Sequence, residues 1–346
     1  MQRLIFWGII VIAVILLLLL FSLVIYGLFR IILPRHTAQV AIGWFLTALV
    51  LIVSISTWWG STRTRLQIEV NEVEVISPRL PQSFDGFRIA QISDLHLSSF
   101  STDEGRQFLT DLAEAIEAAQ PDIIVFTGDL VTLRSAEVYP FRTELSHLSH
   151  LTGSEGQAIP LYSVLGNHDY AEYEHSFTDS QRRQDVDSLI EHQTQAGWQM
   201  LNNAAIRIGR MAPDSTRESI ILAGVENIGE PPFSVYGDLG KALQSVGGKE
   251  VTDSLFTVLL SHNPTHWRHE VLPQTQIDLT LSGHTHAMQF CIAGWSPSQW
   301  KYPEWSGLHR QGDQYLYVNT GSGCVGPSVR IGVKPEVSIL RLRTAN

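Results

Sequence analysis

The chain has 346 residues, 44% hydrophobic and 17% charged, enough for a substantial core and a further segment besides. All five charged side chains before residue 66 are arginines, which leaves 19 basic against 34 acidic side chains in residues 66–346. A surface that acidic is a poor binder of polymeric nucleic acid, whose affinity comes mainly from Lys and Arg neutralising phosphates; a phosphate handled there needs metal ions for positive charge.

Residues 4–29, LIFWGIIVIAVILLLLLFSLVIYGLF, carry no charge and exceed the roughly 20 residues that a helix needs to cross a bilayer. A cleaved signal peptide would have a shorter apolar core and a small-residue cleavage site, so a spanning helix is expected. A second uncharged run, residues 37–60, ends in Trp58 and Trp59, where an interfacial aromatic belt would lie. It is expected to span over about residues 38–60, with a half-buried or re-entrant helix as the alternative, because Thr, Ser and Gly dilute it. Residues 1–65 thus read as a transmembrane hairpin. Arg3, Arg63 and Arg65 on one side, against Arg30 and Arg35 in the connecting loop, lean the C-terminal domain towards the cytoplasmic face of the plasma (inner) membrane.

From residue 66 the chain repeats one pattern. RLQIEVNEVEVIS alternates as a half-exposed strand does. Five short apolar runs then end in polar tips: FRIAQISDLH (87–96), PDIIVFTGDL (121–130), IPLYSVLGNHD (159–169), SLFTVLLSHN (254–263) and IDLTLSGHTH (277–286). Between the first two, Ser101 and Glu104 form a capping-box pattern, and Phe108, Leu112, Ala115 and Ile116 share a helical face that Pro121 closes. Further helices are expected near 184–196 and 238–246, and strands at AAIRIG, SIILAGV, QYLYVN and VRIGVKPEVSILRLR. Residues 213–218 and 229–233 read as surface loops. Alternation of strands and helices indicates an α/β fold with its chemistry on loops beyond strand ends. Two sheets packed face to face with helices outside are expected. Cys291 and Cys324 show no CxxC spacing and read as free, mostly buried thiols.

Together the tips present Asp94 and His96, Asp129, Asn167 and His168, His262, then His284 and His286. Imidazole mixed with carboxylate suits Mn, Fe, Co, Ni or Zn, and the set is large enough for two ions. Such a pair clamps the attacking and leaving oxygens of a displacement at phosphorus, with one carboxylate bridging. A lone DxH or GD is weak, because a solvated turn explains it; five tips in one chain, each after an expected strand, are not.

In that order, D-x-H, G-D, G-N-H-D, H and G-H-x-H resemble the calcineurin-like metallophosphoesterase superfamily, and within it the membrane-attached bacterial phosphoesterases. The resemblance covers roughly residues 87–346 and implies a four-layer sandwich, two mixed β-sheets flanked by helices, as the catalytic domain over 66–346. It implies a dinuclear centre, Mn favoured, with Asp94, His96, Asp129 and His286 on one ion and Asp129, Asn167, His262 and His284 on the other. His168 is implied as general acid or charge stabiliser at the scissile phosphate; Asp169, next in sequence, is expected to orient that imidazole, and metal-activated water to be the nucleophile. Gly283 is expected to let the chain turn tightly. Many relatives place two glycines after the last motif where this chain has Ala287 and Met288, so a bulkier pocket wall is expected.

The aromatic stretch GWSPSQWKYPEWSGLH (294–309), with Trp295, Trp300, Tyr302 and Trp305, reads either as a cap on the core or as a lip meeting acyl chains or the bilayer surface. The other histidines, His147, His150, His175, His192, His266, His269 and His309, read as ordinary surface or helix residues. The expected activity is hydrolysis of a phosphodiester or pyrophosphate bond, in a substrate that the membrane anchor suggests is lipid-linked, with no protein partner indicated. A small-molecule or cyclic-nucleotide phosphodiesterase and a non-catalytic metal-binding membrane scaffold are the rival readings.

Overall fold

The structure, a computed structural model, describes residues 21–28, 30–31, 34–154, 156–231 and 233–345. The chain forms two compact units, Met1–Trp59 and Gly60–Asn346. Most of the first expected span, 4–29, lies outside the described residues; of it, residues 21–28 are helical. The second span is a helix over Arg35–Thr62, three residues longer at its start than the apolar run implied. Its apolar window has a mean hydropathy of 2.2 and is unburied, so by length and composition it can cross a membrane.

In the second unit two six-stranded mixed sheets form. The first runs β1 (Glu69–Ser77), β12 (Glu336–Thr344), β2 (Arg88–Ile92), β3 (Ile123–Phe126), β4 (Leu161–Ser163), β5 (Gln199–Met200). The second runs β10 (Gly307–Gln311), β11 (Gln314–Val318), β9 (Leu279–Ser282), β8 (Thr257–Leu260), β7 (Arg217–Gly224), β6 (Ala204–Met211). Strands β2 to β5 are mutually parallel, as are β7, β8, β9 and β11.

Side chains alternate across a strand, and here both faces of the central strands are apolar. Ile89, Val125, Val258 and Leu281 enter one core with residues of both sheets. Ala90, Ile124 and Phe126 face a second core with the helices Thr102–Ala118, Arg142–Leu148 and Asp179–Gln195. Ile221, Leu259 and Leu316 face a third, with Leu239, Leu243 and Trp267. Helix, sheet, sheet, helix is the four-layer order expected, and it holds the parallel strand ends rigidly side by side.

Several boundaries moved for local reasons. The helix Asp179–Gln195 starts five residues before the expected position, because Thr178 and Gln181 make a capping box in a polar stretch that periodicity does not register. The box expected at Ser101 does not form: Ser101 makes no side-chain cap bond, and Glu104 pairs with Arg65 instead. The loop assigned to 213–218 gives its last two residues to β7, and of the final expected strand Glu336–Thr344 forms β12 while Ile331 makes an isolated bridge to Phe290. Of the other histidines, His192 and His266 lie on helices, as expected, and are buried; His266 sits between Ser261 Oγ (2.9 Å) and Glu270 (3.0 Å). Both cysteines are free, Cys324 buried and Cys291 half-buried.

Phe256 is fully buried between the sheets. Phe256→Ala is expected to cost about 3–5 kcal/mol, read as a lower midpoint of thermal unfolding in detergent; an unmoved midpoint would contradict a packed inter-sheet core.

Candidate metal centre

Five of the tip residues leave their strands through left-handed turns. Asp94 (φ 54°), His96 (φ 42°), Asp129 (φ 60°), His284 (φ 73°) and His286 (φ 49°) all sit at positive φ, a conformation that costs a non-glycine residue roughly 1–2 kcal/mol. Such strain persists only where the surroundings enforce it, and it clusters at functional sites. Gly128 (φ 99°) is glycine on conformational grounds. Gly283 is not: its φ is ordinary, the left-handed turn falls on His284, and glycine is needed because a Cβ would collide with Ser93 and Asp94.

The turns bring two sets of donor atoms together. In the first, His286 Nε2 lies 3.2 Å from Asp94 Oδ1 and 3.1 Å from His96 Nε2, and His96 Nε2 is 3.5 Å from Asp129 Oδ2. In the second, His262 Nε2 is 3.2 Å from the same Asp129 Oδ2 and 3.0 Å from Asn167 Oδ1. His284 Nδ1 completes it, 2.8 Å from Asn167 Oδ1 and 3.2 Å from His262 Nε2. Asp94, His96, Asp129, His262 and His286 are buried.

Neighbours aim the donor atoms. His262 Nδ1 donates to the Thr127 carbonyl at 2.8 Å, so its neutral form presents an Nε2 lone pair to the site. Asn167 Nδ2 donates to the Tyr173 hydroxyl (2.9 Å), leaving Oδ1 facing the histidines. His284 Nε2 contacts the Tyr302 hydroxyl at 2.9 Å. Arg330, fully buried, caps the carbonyls of Thr320, Gly321 and Gly323 and reaches His286 Nδ1 at 3.4 Å.

Electrostatically the pocket calls for positive charge. Burial opposes ionisation of Asp94 and Asp129, yet His286 at Asp94 and His262 and His168 at Asp129 hold both carboxyls well below their usual range. Burial also disfavours a charged His262, but Asp129 and Asp94 push it up to about 9. Burial and His262 push His284 down to about 3, and burial drives His96 well below its usual value. Imidazole nitrogens 3.1 and 3.2 Å from one another, beside the buried carboxylates of Asp94 and Asp129, have the chemistry of a divalent cation site, so the residues present fit two ions that share Asp129.

Asp169 is placed otherwise than expected. Its carboxylate accepts the backbone N–H groups of Asp129 (2.8 Å), Gly166 (2.9 Å), Leu130 (2.9 Å) and Val131 (3.2 Å), clasping the GD turn to the GNHD turn. Burial and the Asp129 charge push it up to about 7, against those donors. It does not orient His168, whose Nδ1 bonds the Thr132 carbonyl at 2.8 Å while its ring stacks on Tyr173 at 4.2 Å. His168 Nε2 is thereby left for the site.

A cavity of about 180 Å³ opens over Asn167 and His284, bordered by Tyr173, Phe233, Lys301 and Tyr302. Ala287 and Met288 do not border it: Ala287 is fully buried and Met288 is exposed. Their φ angles of 51° and 47° explain why glycines suit these positions. Tyr302, Tyr173, Arg330 and the Thr132 carbonyl went unassigned in the sequence. A tyrosine followed by proline in an aromatic loop was the one visible trace of Tyr302.

The family model for calcineurin-like phosphoesterases matches residues 87–288. The chain is 28% identical over 307 residues to a zebrafish (Danio rerio) transmembrane protein with metallophosphoesterase domain, covering 86% of this chain and 63% of that protein. It is 28% identical over 284 residues to the metallophosphoesterase YkuE of Bacillus subtilis, covering 81% and 87% of the two chains. It is also 28% identical over 332 residues to UDP-2,3-diacylglucosamine pyrophosphatase LpxG of Chlamydia trachomatis, covering 84% and 94%.

Tyr302→Phe removes the hydroxyl at His284 Nε2 and is expected to weaken binding of the cation that His284 would hold about 10–100-fold. Calorimetric Mn²⁺ titration checks this; equal affinity in the variant would show that Tyr302 does not orient His284.

Proposed function

The chain belongs to the calcineurin-like phosphoesterase family, and on that basis we propose that it is a membrane-anchored phosphoesterase with two divalent ions, hydrolysing a phosphodiester or pyrophosphate bond. The observation that carries this reading is the single oxygen, Asp129 Oδ2, facing both His96 and His262. We assign one ion to Asp94, His96, Asp129 and His286 and the other to Asp129, Asn167, His262 and His284. When bound, such ions polarise phosphoryl oxygens and lower the pKa of water towards neutrality.

The chain's own groups do the rest. Asp94 and Asp129, both buried, would supply the negative charge that balances the cations. His168, anchored through Nδ1 to Thr132, offers Nε2 to protonate the leaving oxygen or to stabilise its charge. Asp169 keeps the two turns in register. Tyr173 and Tyr302 wall the cavity and exclude water from one side of it.

For substrate we propose a lipid-linked molecule. The chlamydial relative's name describes a pyrophosphatase acting on a diacylated sugar nucleotide, the zebrafish relative is named a transmembrane protein, and the Arg35–Thr62 helix is long and apolar enough to span. Residues 1–65 serve as the membrane hairpin and 66–346 as the catalytic domain, on the cytoplasmic face by the arginine count.

Full-length protein in detergent with Mn²⁺ is expected to hydrolyse an aryl phosphodiester and, faster, a lipid-linked sugar nucleotide, with Asp129→Asn reducing both by at least about 100-fold. Equal turnover in the variant would favour a scaffold, and turnover of the soluble diester alone would remove the lipid substrate. His168→Asn is expected to cost about 10²–10⁴-fold on an alkyl leaving group, which needs a proton, and far less on a nitrophenyl one; an equal loss on both would deny it the acid role.

A further inference from the structure

We propose that the uncharged loop over residues 288–300 rests in the membrane interface, so that the cavity over the candidate metal centre opens at the level of the lipid headgroups. The inference rests on the reading of the Arg35–Thr62 helix as a membrane span. The loop is built to present apolar side chains. Residues 287–300, AMQFCIAGWSPSQW, contain no charge. Within them Met288 is 57%, Ile292 56%, Trp295 42% and Trp300 80% exposed. Ile292 and Trp295 exchange backbone bonds of 3.0 Å each around a tip of Ala293 and Gly294, both at positive φ. Behind the tip, Phe290 packs on Trp295 (6.4 Å) and Trp295 on Trp300 (5.5 Å) in edge-on pairs. A contiguous apolar patch of this kind marks a contact surface, and tryptophan is the residue that sits best where acyl chains meet headgroups.

The occupant follows from what the loop is fastened to. Gly60, in the last turn of the apolar helix, accepts the Arg330 N–H at 3.3 Å. Next along, Ile331 donates to the Gln289 carbonyl and accepts from Cys291 N–H, both at 2.9 Å. Two hydrogen-bonded steps, through residues 330–331, thus link Gly60 to residues 289–291, a distance of about 10 Å at strand spacing. The helix has 28 residues and rises about 42 Å, against a hydrocarbon core of about 30 Å and a bilayer of about 40–45 Å with its headgroups. Gly60 accordingly lies in the headgroup layer, and residues 289–291 stand within about 10 Å of it.

Both ends of the loop enter the site. His286 stands two residues before Met288, while Lys301 and Tyr302 border the cavity and Tyr302 bonds His284. A lipid-linked substrate would reach the phosphate site along this edge without leaving the bilayer surface. Because the domain is acidic, attraction to anionic lipid does not drive the contact, and its strength should not depend on salt.

The test uses the full-length chain in the Cys291→Ser background, with Cys324 buried. Ile292→Cys, or as control Met211→Cys, takes a bimane label; Met211 is 64% exposed at the end of β6 remote from the site. The protein is reconstituted into phosphatidylcholine vesicles with or without bromine on the acyl chains. Strong quenching at 292 and little at 211, equal at low and high salt, is expected. Quenching at 292 no greater than at 211, in protein that resists alkaline carbonate extraction, would overturn the loop contact and leave the anchor standing; release by carbonate would overturn both. A Trp295→Ser, Trp300→Ser double variant is expected to lose several-fold turnover on a vesicle-borne substrate and none on a soluble aryl diester. Equal loss on both would assign the loop to the packing of the site and overturn its membrane role.

Discussion

The carboxylate of Asp129 is the point on which the site depends. Oδ2 faces a histidine from the first sheet, His96, and one from the second, His262. Oδ1 accepts the His168 N–H at 2.8 Å, the Asp129 carbonyl accepts the His96 N–H at 3.1 Å, and the Asp129 N–H is held by Asp169. One residue is therefore fixed at backbone and side chain by the tips of β2, β4 and β8. A shared carboxylate can serve two cations only if both sheets are held in one register, and the inter-sheet core supplies that rigidity.

The strain at the strand tips has the same origin. Parallel strands point their ends in one direction, but the donors must converge on a small volume, so the chain turns within one or two residues of each strand end. Left-handed aspartates and histidines are the result. The surroundings that enforce them are polar and buried: Asp169 gathers four N–H groups, and Arg330 gathers the carbonyls of Thr320, Gly321 and Gly323. Buried networks of this sort are costly to leave half-satisfied, which makes the loops rigid although they lack regular structure.

Much of this was legible in the sequence because ligands at strand ends have to be particular residue types in particular places. Asp94, His96, Asp129, Asn167, His262, His284 and His286 each follow a short apolar run, and the structure brings all seven together. The two-sheet architecture was legible for a related reason: runs such as IIVF and TVLL are apolar on both faces, as strands covered on two sides must be. What was not legible is what orients the candidate ligands. Backbone carbonyls of Thr127 and Thr132 have no residue signature, and Tyr302 and Arg330 act across long stretches of chain. Asp169 was misread because adjacency in sequence suggested a partner for His168, whereas the turn points its carboxylate back at the backbone. The first expected span, 4–29, lies mostly beyond the described residues.

The proposed chemistry requires a pair of cations joined by Asp129. The measurement that tests it most directly is the metal content of purified full-length protein, by mass spectrometry after exchange into metal-free buffer, beside Asp129→Asn of unchanged circular dichroism. About two divalent ions per chain in the parent, with both lost or greatly weakened in the variant, is the predicted result. One ion or none in the parent, or two in both proteins, would contradict a centre bridged by that carboxylate.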